Sequence, residues 1–338
     1  MRLPLLALLL LVSAAEACKV PVFRYALERW SSDDYTLLYR DEIDAPDTEG
    51  CNVIARHSPG LESRFAARYP DSIDFDLPPF WTGDDPAPLL SSPLRQLLVD
   101  RLAAGASTIW VLIEGPDAAQ NDQIAARLSD LLATAAESIA IPEGVVRPEQ
   151  LDTGEVALAD IDVKDVLRSP IPLAIDFQIL RLAFDDTAEA GFRKMLQGFN
   201  GNPAVRESTG PLLVPVFGRG RMLEPLPVEM LNQETVSMAS QYLCGECSCE
   251  LKDENPGVDL LLRADWETIL SNSYTIIDQQ LPPLAGAGEF EEPVAEIATS
   301  PSADQAQGSP LSRNLFLLAL GGVVALTLFS AIILRSGT

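Results

Sequence analysis

Two apolar runs, one near each end of the chain, decide which residues are available to fold in water. Residues 3–14 follow Arg2 and precede the small-x-small pattern Ala15-Glu16-Ala17. This arrangement is typical of a secretory signal peptide that is cleaved before Cys18. The second run, residues 314–334, contains no charged residue. At about 1.5 Å of rise per residue, it is long enough to cross the roughly 30 Å hydrocarbon core as one helix.

The order of these two runs predicts a single-pass membrane protein of type I topology. An export signal at the N-terminus places the segment between the runs outside the cytoplasm. Arg313 and Arg335 flank the second run equally, so positive charge gives no orientation of its own. We therefore expect a periplasmic main body that is held to the cell membrane by its own C-terminal helix.

Changes in composition divide the chain into segments. Residues 281–312 are rich in Pro, Ala, Gly, Ser and acidic residues, and such a segment cannot bury enough apolar surface to offset its ordering entropy. The predicted organisation is a signal peptide at 1–17, a first α/β region at 18–150, a second α/β region at 151–280, a disordered stalk at 281–312, a transmembrane helix at 313–335 and a cytoplasmic tip at 336–338.

The charge of the chain excludes one class of partner. Lys and Arg number 24 against 49 Asp and Glu, which gives a net charge of −25. Because this charge repels phosphate groups, we exclude nucleic acid as a partner. The sequence has no Walker loop, no Gly-x-Ser-x-Gly, no His-Glu-x-x-His and no Asp-x-Asp-x-Asp-Gly calcium loop. Nucleotide-binding, hydrolase, zinc protease and calcium-loop functions therefore lack support, and no cofactor is expected.

Helical and strand patterns alternate in the first region, which favours an α/β fold. Helices are predicted at 20–30, 91–104 and 117–138, strands at 35–39 and 107–114, and a long loop at 71–93. The run Thr108–Ile113 is almost continuously apolar, as in a strand that is covered on both faces. We expect this strand near the centre of a sheet.

The second region predicts the succession β-α-β-β-α. Its strands are predicted at 172–184, 212–217 and 222–226, its helices at 187–199 and 228–243, and a tight turn at Gly218 and Gly220. Gly210-Pro211 stands directly before the strand at 212–217. This succession resembles the thioredoxin-like fold, which places a cis-proline before the corresponding strand. The resemblance implies a cis bond before Pro211, and the first region would then be a degenerate second copy or an unrelated α/β region.

The thiol of that family is missing from the corresponding place. Thioredoxins carry Cys-x-x-Cys after the first strand, at a helix N-terminus, where the helix dipole and free N–H groups lower the thiol pKa. With the strand at 172–184 taken as the first, the corresponding residues are Asp185-Asp186-Thr187-Ala188. The resemblance therefore implies a binding or structural version of the fold.

Five cysteines carry the densest chemical signal of the chain: Cys18, Cys51, Cys244, Cys247 and Cys249. One hypothesis is a disulfide staple in which Cys244 bonds locally, to Cys51 or to Cys18. A second is a redox site formed by Cys244, Cys247 and Cys249, with Cys18 or Cys51 as resolving thiol. A third is a metal site in which those three clustered thiolates are joined by His57 or another cysteine.

His57 is the only histidine, so any histidine-dependent mechanism must use it. Its neighbours Arg56, Ser58, Pro59 and Gly60 indicate a loop. A histidine in a loop is usually a solvated side chain, so a catalytic role is not favoured.

Residues 18–30, the cysteine cluster and the C-terminal anchor together resemble uncharacterised secreted or membrane-tethered proteins of planctomycete-type bacteria. This resemblance implies a bacterial cell-envelope setting and brings no activity with it. The sequence thus predicts a non-catalytic, envelope-anchored α/β interaction module that is stapled by disulfides and contacts other envelope or membrane proteins. The alternatives are an envelope thiol-disulfide redox protein and a thiolate metal-binding protein.

Overall fold

A computed structural model describes residues 18–42, 45–71, 77–157, 159, 161–247 and 251–270. The predicted signal peptide, stalk and transmembrane helix lie outside these residues, and so does Cys249. Within the described residues, no helix is both long enough and apolar enough to cross a membrane.

Helices and strands alternate along the described chain, so the predicted α/β class is confirmed. The strands are β1 (Cys18–Pro21), β2 (Tyr35–Tyr39), β3 (Val53–His57), β4 (Phe65–Arg68), β5 (Trp81–Gly83), β6 (Thr108–Ile113), β7 (Phe177–Leu182), β8 (Leu212–Phe217), β9 (Arg221–Met222), β10 (Leu226–Pro227), β11 (Glu246–Cys247) and β12 (Val258–Asp259). The α-helices are α1 (Val22–Arg29), α2 (Ala87–Leu90), α3 (Pro93–Ala103), α4 (Ala118–Ser138), α5 (Pro148–Asp152), α6 (Ala190–Gly198), α7 (Pro203–Arg206), α8 (Gln233–Cys244) and α9 (Trp266–Ile269). Short 3-10 helices lie at Val163–Asp165, Thr187–Glu189, Val228–Met230 and Lys252–Glu254.

A six-stranded sheet holds the strand that the apolar run predicts. Its order is β12-β9-β8-β6-β7, and β10 also pairs with β8. β6 lies between β7, which is parallel to it, and β8, which is antiparallel. Every residue of β6 is buried. Since α4 follows β6 and precedes β7, these three elements form a βαβ unit. Because β6 has a neighbouring strand on each side, its predicted position inside a sheet is confirmed.

Strands from both predicted regions pair within this sheet. β6 precedes residue 150, whereas β7 and β8 follow it. The boundary predicted at residue 150 therefore does not separate two sheets. The first region contributes an inner strand of the sheet that the second region completes, because a parallel pair forms through a long crossover that local patterns do not reveal.

Apolar side chains cover both faces of β6. On one face, Trp110 and Leu112 of β6 pack with residues of α4 and α8, namely Leu128, Leu132 and Val236. On the other face, Ile109 and Val111 of β6 pack with residues of α3 and α6, namely Leu98, Leu102 and Phe192. This double coverage explains why the strand has no polar alternation.

A four-stranded sheet with the order β3-β2-β4-β5 is built from residues before α2. β2 pairs in parallel with β3 and antiparallel with β4. Tyr35, Leu37 and Phe65 on one face are buried in the same core as the α3 side of β6. His57 is the last residue of β3, so the prediction that it lies in a loop is wrong: its strand pairs with β2, which is distant in sequence.

Two details of the second region were predicted with different success. Gly218 and Gly220 have φ angles of 59° and 94° and join β8 to β9, with Phe217 opposite Arg221, so the tight turn is confirmed. In contrast, the described residues contain no cis peptide bond. The prediction of a cis bond before Pro211 is therefore wrong, and the bond has the trans form that proline also prefers.

Candidate functional site

One edge of the six-stranded sheet brings three loops together. β6 and β7 are parallel, so both end at this edge, and antiparallel β8 begins there. A Cβ atom on Gly115, which follows β6, would lie 3.0 Å from Cδ and 3.3 Å from the backbone N of Pro211. The turn after β6 therefore touches the loop before β8, and a side chain at Gly115 would require Pro211 to move by a few tenths of an ångström.

The first turn of α4 satisfies its own backbone groups. The Asp117 carboxylate accepts hydrogen bonds from the N–H groups of Ala119 (3.0 Å) and Gln120 (3.1 Å). The buried Asn121 side chain accepts from the Gly115 N–H at 3.0 Å and donates to the Gly115 carbonyl at 2.9 Å. These bonds fix the turn rigidly, and they occupy N–H groups that would otherwise stabilise an anion at a helix N-terminus.

An exposed aromatic ring stands at the same edge. Phe184, just beyond β7, has 43% of its surface exposed, and the Arg193 guanidinium lies 5.6 Å from its ring centre. Arg193 also donates to the carbonyl oxygens of Glu114 (3.2 Å) and Leu182 (3.3 Å). Burial lowers the pKa of Arg193, and the nearby Glu114 acts in the opposite direction. Arg193 thus covers one face of the Phe184 ring and restricts its movement.

The edge also carries acidic side chains. Arg181 forms ion pairs with Glu114 and, at 2.8 Å, with Asp122. Asp185 and Asp186 follow Phe184 directly. The edge therefore combines an exposed aromatic ring with negative charge.

Three of the five cysteines lie in one apolar cluster that is separate from this sheet edge. Cys18 lies in β1, Cys244 ends α8, and Cys247 lies in β11. Their exposed fractions are 1%, 0% and 1%, and all three belong to one apolar cluster with Phe23 and Phe217. β1 and β11 are antiparallel, with Cys18 directly opposite Cys247.

Burial controls the chemistry of Cys244. It raises the pKa of this thiol to about 12, and a hydrogen bond with the Ser107 hydroxyl acts in the opposite direction. A thiol with such a pKa is almost entirely protonated at neutral pH and is a poor nucleophile. No disulfide bond joins Cys18, Cys51, Cys244 and Cys247 to one another in the described structure.

Cys51 and His57 lie apart from this cysteine cluster. Cys51 packs against the apolar core that contains β2 and β4. Burial raises the pKa of its thiol, and the nearby Arg263 acts in the opposite direction. His57 is exposed; its Nε2 lies 3.0 Å from the Arg40 carbonyl, and its ring stacks on Tyr39. Among the residues that the structure describes, no three Cys, His, Asp or Glu side chains are placed to hold one metal ion.

A cavity of about 770 Å³ opens between residues 145–155 and 167–173. Its walls are mainly proline and aliphatic side chains, with Arg147, Glu149 and Glu155 among the polar ones. None of the cysteines and no residue of the edge described above lines it. The cavity is therefore separate from both candidate sites.

The sequence predicted the strand at 107–114 and the helix at 117–138 but not that the turn between them corresponds to the site of the thioredoxin-like family, which was placed after the strand at 172–184. A usable signal was present: Asp117 stands directly before a long helical pattern and after a buried apolar run, which is typical of a strand-turn-helix. Comparison with models of protein families, with curated proteins and with solved structures finds no match for this chain. The function must therefore be argued from the chain's own geometry.

Proposed function

We propose that this chain is a protein-binding module with a thioredoxin-like fold and without thiol catalysis, and that it works in the bacterial cell envelope in contact with other envelope or membrane proteins. The observation that carries the proposal is the turn between β6 and α4. It reads Gly115-Pro116-Asp117-Ala118, lies against Pro211 and contains no cysteine.

The βαβ unit supports the choice of this turn. A Cys-x-x-Cys beside a βαβ pattern marks a thioredoxin-like redox site, and the resemblance places it after the first strand, at a helix N-terminus. β6 begins the βαβ unit here, and α4 follows it. The corresponding residues are then 115–118 rather than 185–188. Pro211 stands before β8, as the resemblance requires, although its peptide bond is trans.

The environment of the cysteines argues against the redox alternative. A catalytic thiol needs access to its substrate and a pKa near or below neutral. Cys244 has neither, since it is fully buried and its pKa is raised to about 12. Cys18 and Cys247 are each only 1% exposed. The thiolate metal alternative has no support from the described ligands.

The edge around Phe184 is the surface we assign to partner binding. Large aromatic side chains supply much of the binding energy at protein interfaces. Phe184 is exposed but held by Arg193, so little side-chain entropy is lost when a partner covers it. Since Asp185 and Asp186 adjoin it, we expect the partner surface to be apolar at its centre and basic around it.

A photoreactive amino acid placed at position 184 of the full-length protein tests this surface in cells. Position 97 is the matched control, because Leu97 is 40% exposed and Phe184 is 43% exposed. We expect a discrete crosslinked protein at 184 and none at 97. Equal crosslinking at the two positions, or none at 184, contradicts the assigned surface.

The absence of thiol catalysis is tested separately by reduction of insulin disulfides. We expect the purified full-length protein in detergent to give no rate above the background of the added dithiothreitol. A rate above background that disappears in Cys247→Ser establishes the redox alternative and overturns the proposal.

A further inference from the structure

We propose that Cys18 and Cys247 form a disulfide bond in the exported protein and that this bond fastens the N-terminal strand to β11. The inference concerns a modification site, and it does not depend on the partner-binding surface around Phe184. It rests on the register of two short strands and on the predicted export of the chain to a compartment where disulfides persist.

The strand register places the two cysteines within bonding reach. Cys18 is directly opposite Cys247 in the antiparallel pair of β1 and β11. Residues in this relation have Cα atoms about 4.5–5.5 Å apart, which falls inside the range of about 4.4–6.8 Å found for disulfides. The register shifts between Cys18 and Pro21, so that Pro21 lies opposite Glu246. The Val22 N–H donates to the Gly245 carbonyl at 3.2 Å, so the two segments stay joined beyond this irregularity.

The other cysteines are less well placed for this bond. Cys244 ends α8, and the residue directly opposite Cys247 in the strand pair is Cys18. Cys51 packs in the separate core that contains β2 and β4, and its thiol donates to the Leu90 carbonyl at 3.6 Å. The structure therefore favours Cys18 over Cys244 and Cys51 as the partner of Cys247.

The bond has a clear physical use at this position. If the signal peptide is cleaved before Cys18, β1 becomes the extreme N-terminus, and terminal strands open easily unless they are tied down. A bond from Cys18 to Cys247 closes most of the described chain into one loop, which strongly restricts the unfolded state.

Bond formation requires an oxidant of the thiol-disulfide class. The two thiols lose their protons, a sulfur–sulfur bond forms, and two electrons reduce a disulfide of an envelope oxidoreductase to two thiols. Because both side chains are 1% exposed once folded, we place this exchange during folding, before β1 is covered. The hydrogen bond from the Cys18 thiol to the Lys164 carbonyl is given up in the process.

Peptide mapping of the full-length protein tests the bond. The protein is recovered from membranes without reductant, alkylated with iodoacetamide in denaturant, and cleaved after glutamate. Cleavage after Glu28, Glu246 and Glu250 separates Cys244 from Cys247. We expect the peptide that contains Cys18 to be linked to the peptide 247–250, with Cys51 and Cys244 alkylated.

Two matched variants distinguish Cys247 from Cys249, which share the peptide 247–250. The link should be lost in Cys247→Ser and kept in Cys249→Ser. A link between Cys244 and Cys247, a link from Cys18 that survives Cys247→Ser, or alkylation of all five cysteines in the unreduced wild type overturns the proposal. If Cys247→Ser does not accumulate, the mapping is decided on Cys249→Ser and the wild type.

Thermal unfolding gives a second readout. Reduction in denaturant followed by refolding in reductant should lower the Tm of the wild type and of Cys249→Ser by about 10 °C. Cys247→Ser should have the lower Tm with or without reductant. A wild-type Tm that is unchanged after reduction in denaturant and refolding in reductant contradicts the bond.

Discussion

Removing the charge of Glu28 should destabilise the fold far more than removing the charge of an exposed glutamate. Arg24 and Glu28 face each other one turn apart on α1, with Nε and Oε1 at 2.9 Å and side chains 0% and 1% exposed. The Glu28 carboxylate also accepts from the N–H groups of Arg168 (2.8 Å) and Ser169 (2.9 Å). Arg24 donates to the carbonyls of Ser169 (2.9 Å) and Ile171 (2.7 Å). The pair thus ties α1 to residues 168–171.

The size of the effect follows from the burial of Arg24. Burial lowers the pKa of this guanidinium, and Glu28 acts against that shift. In Glu28→Gln the guanidinium keeps its charge but loses its counter-charge. Breaking a buried pair in this way costs about 3–5 kcal/mol of unfolding free energy.

Denaturant unfolding of Glu28→Gln and of Glu246→Gln measures the contrast. Glu246 pairs with Lys19 at 3.2 Å, but these side chains are 43% and 35% exposed, so its loss should cost about 0–1 kcal/mol. The double variant Arg24→Met with Glu28→Leu should recover the part of the loss that comes from the unpaired charge, but not the part that comes from the backbone groups of residues 168–171 that lose their partners. Equal losses in the two single variants, or no recovery in the double variant, would refute the reasoning.

Three further outcomes follow from the sheet edge, the buried thiol and the predicted topology. Gly115→Ala forces a Cβ against Pro211 and should lower the unfolding free energy by about 1–3 kcal/mol in denaturant. Gly60→Ala, which has nothing within 4 Å of its new Cβ, should leave the unfolding free energy unchanged or raise it slightly. Equal effects of the two variants would disprove the contact. Burial raises the pKa of Cys244 from 9.0 to about 12 in the folded state, so folding favours the protonated thiol. The stability that this preference contributes is complete below pH 9.0 and is lost as the pH rises towards about 12. Unfolding free energy should therefore fall more steeply above pH 9.0 in the wild type than in Cys244→Ser, and parallel pH profiles would contradict this. External protease on intact spheroplasts should release a folded fragment that ends within 281–312; complete protection of the main body would disprove the predicted export.

Patterns among neighbouring residues predict the individual helices and strands of this protein. The unbroken apolar run at 108–113 predicted a covered strand, and the apolar spacing within 117–138 predicted α4, because side-chain period is a property of neighbouring residues. Gly218 and Gly220 predicted the turn between β8 and β9 for the same reason, since only a few adjacent residues set its backbone angles.

The way in which distant segments meet depends on the packing of the whole chain. Nothing local in β6 specifies that β7 lies parallel on one side and β8 antiparallel on the other. The contact of Gly115 with Pro211 and the opposition of Cys18 and Cys247 follow from the same long-range pairing. Such contacts are selected by the burial that the whole chain achieves against the entropy of closing each loop. Local sequence patterns therefore predict the strands and helices, whereas long-range packing determines which of them form a site.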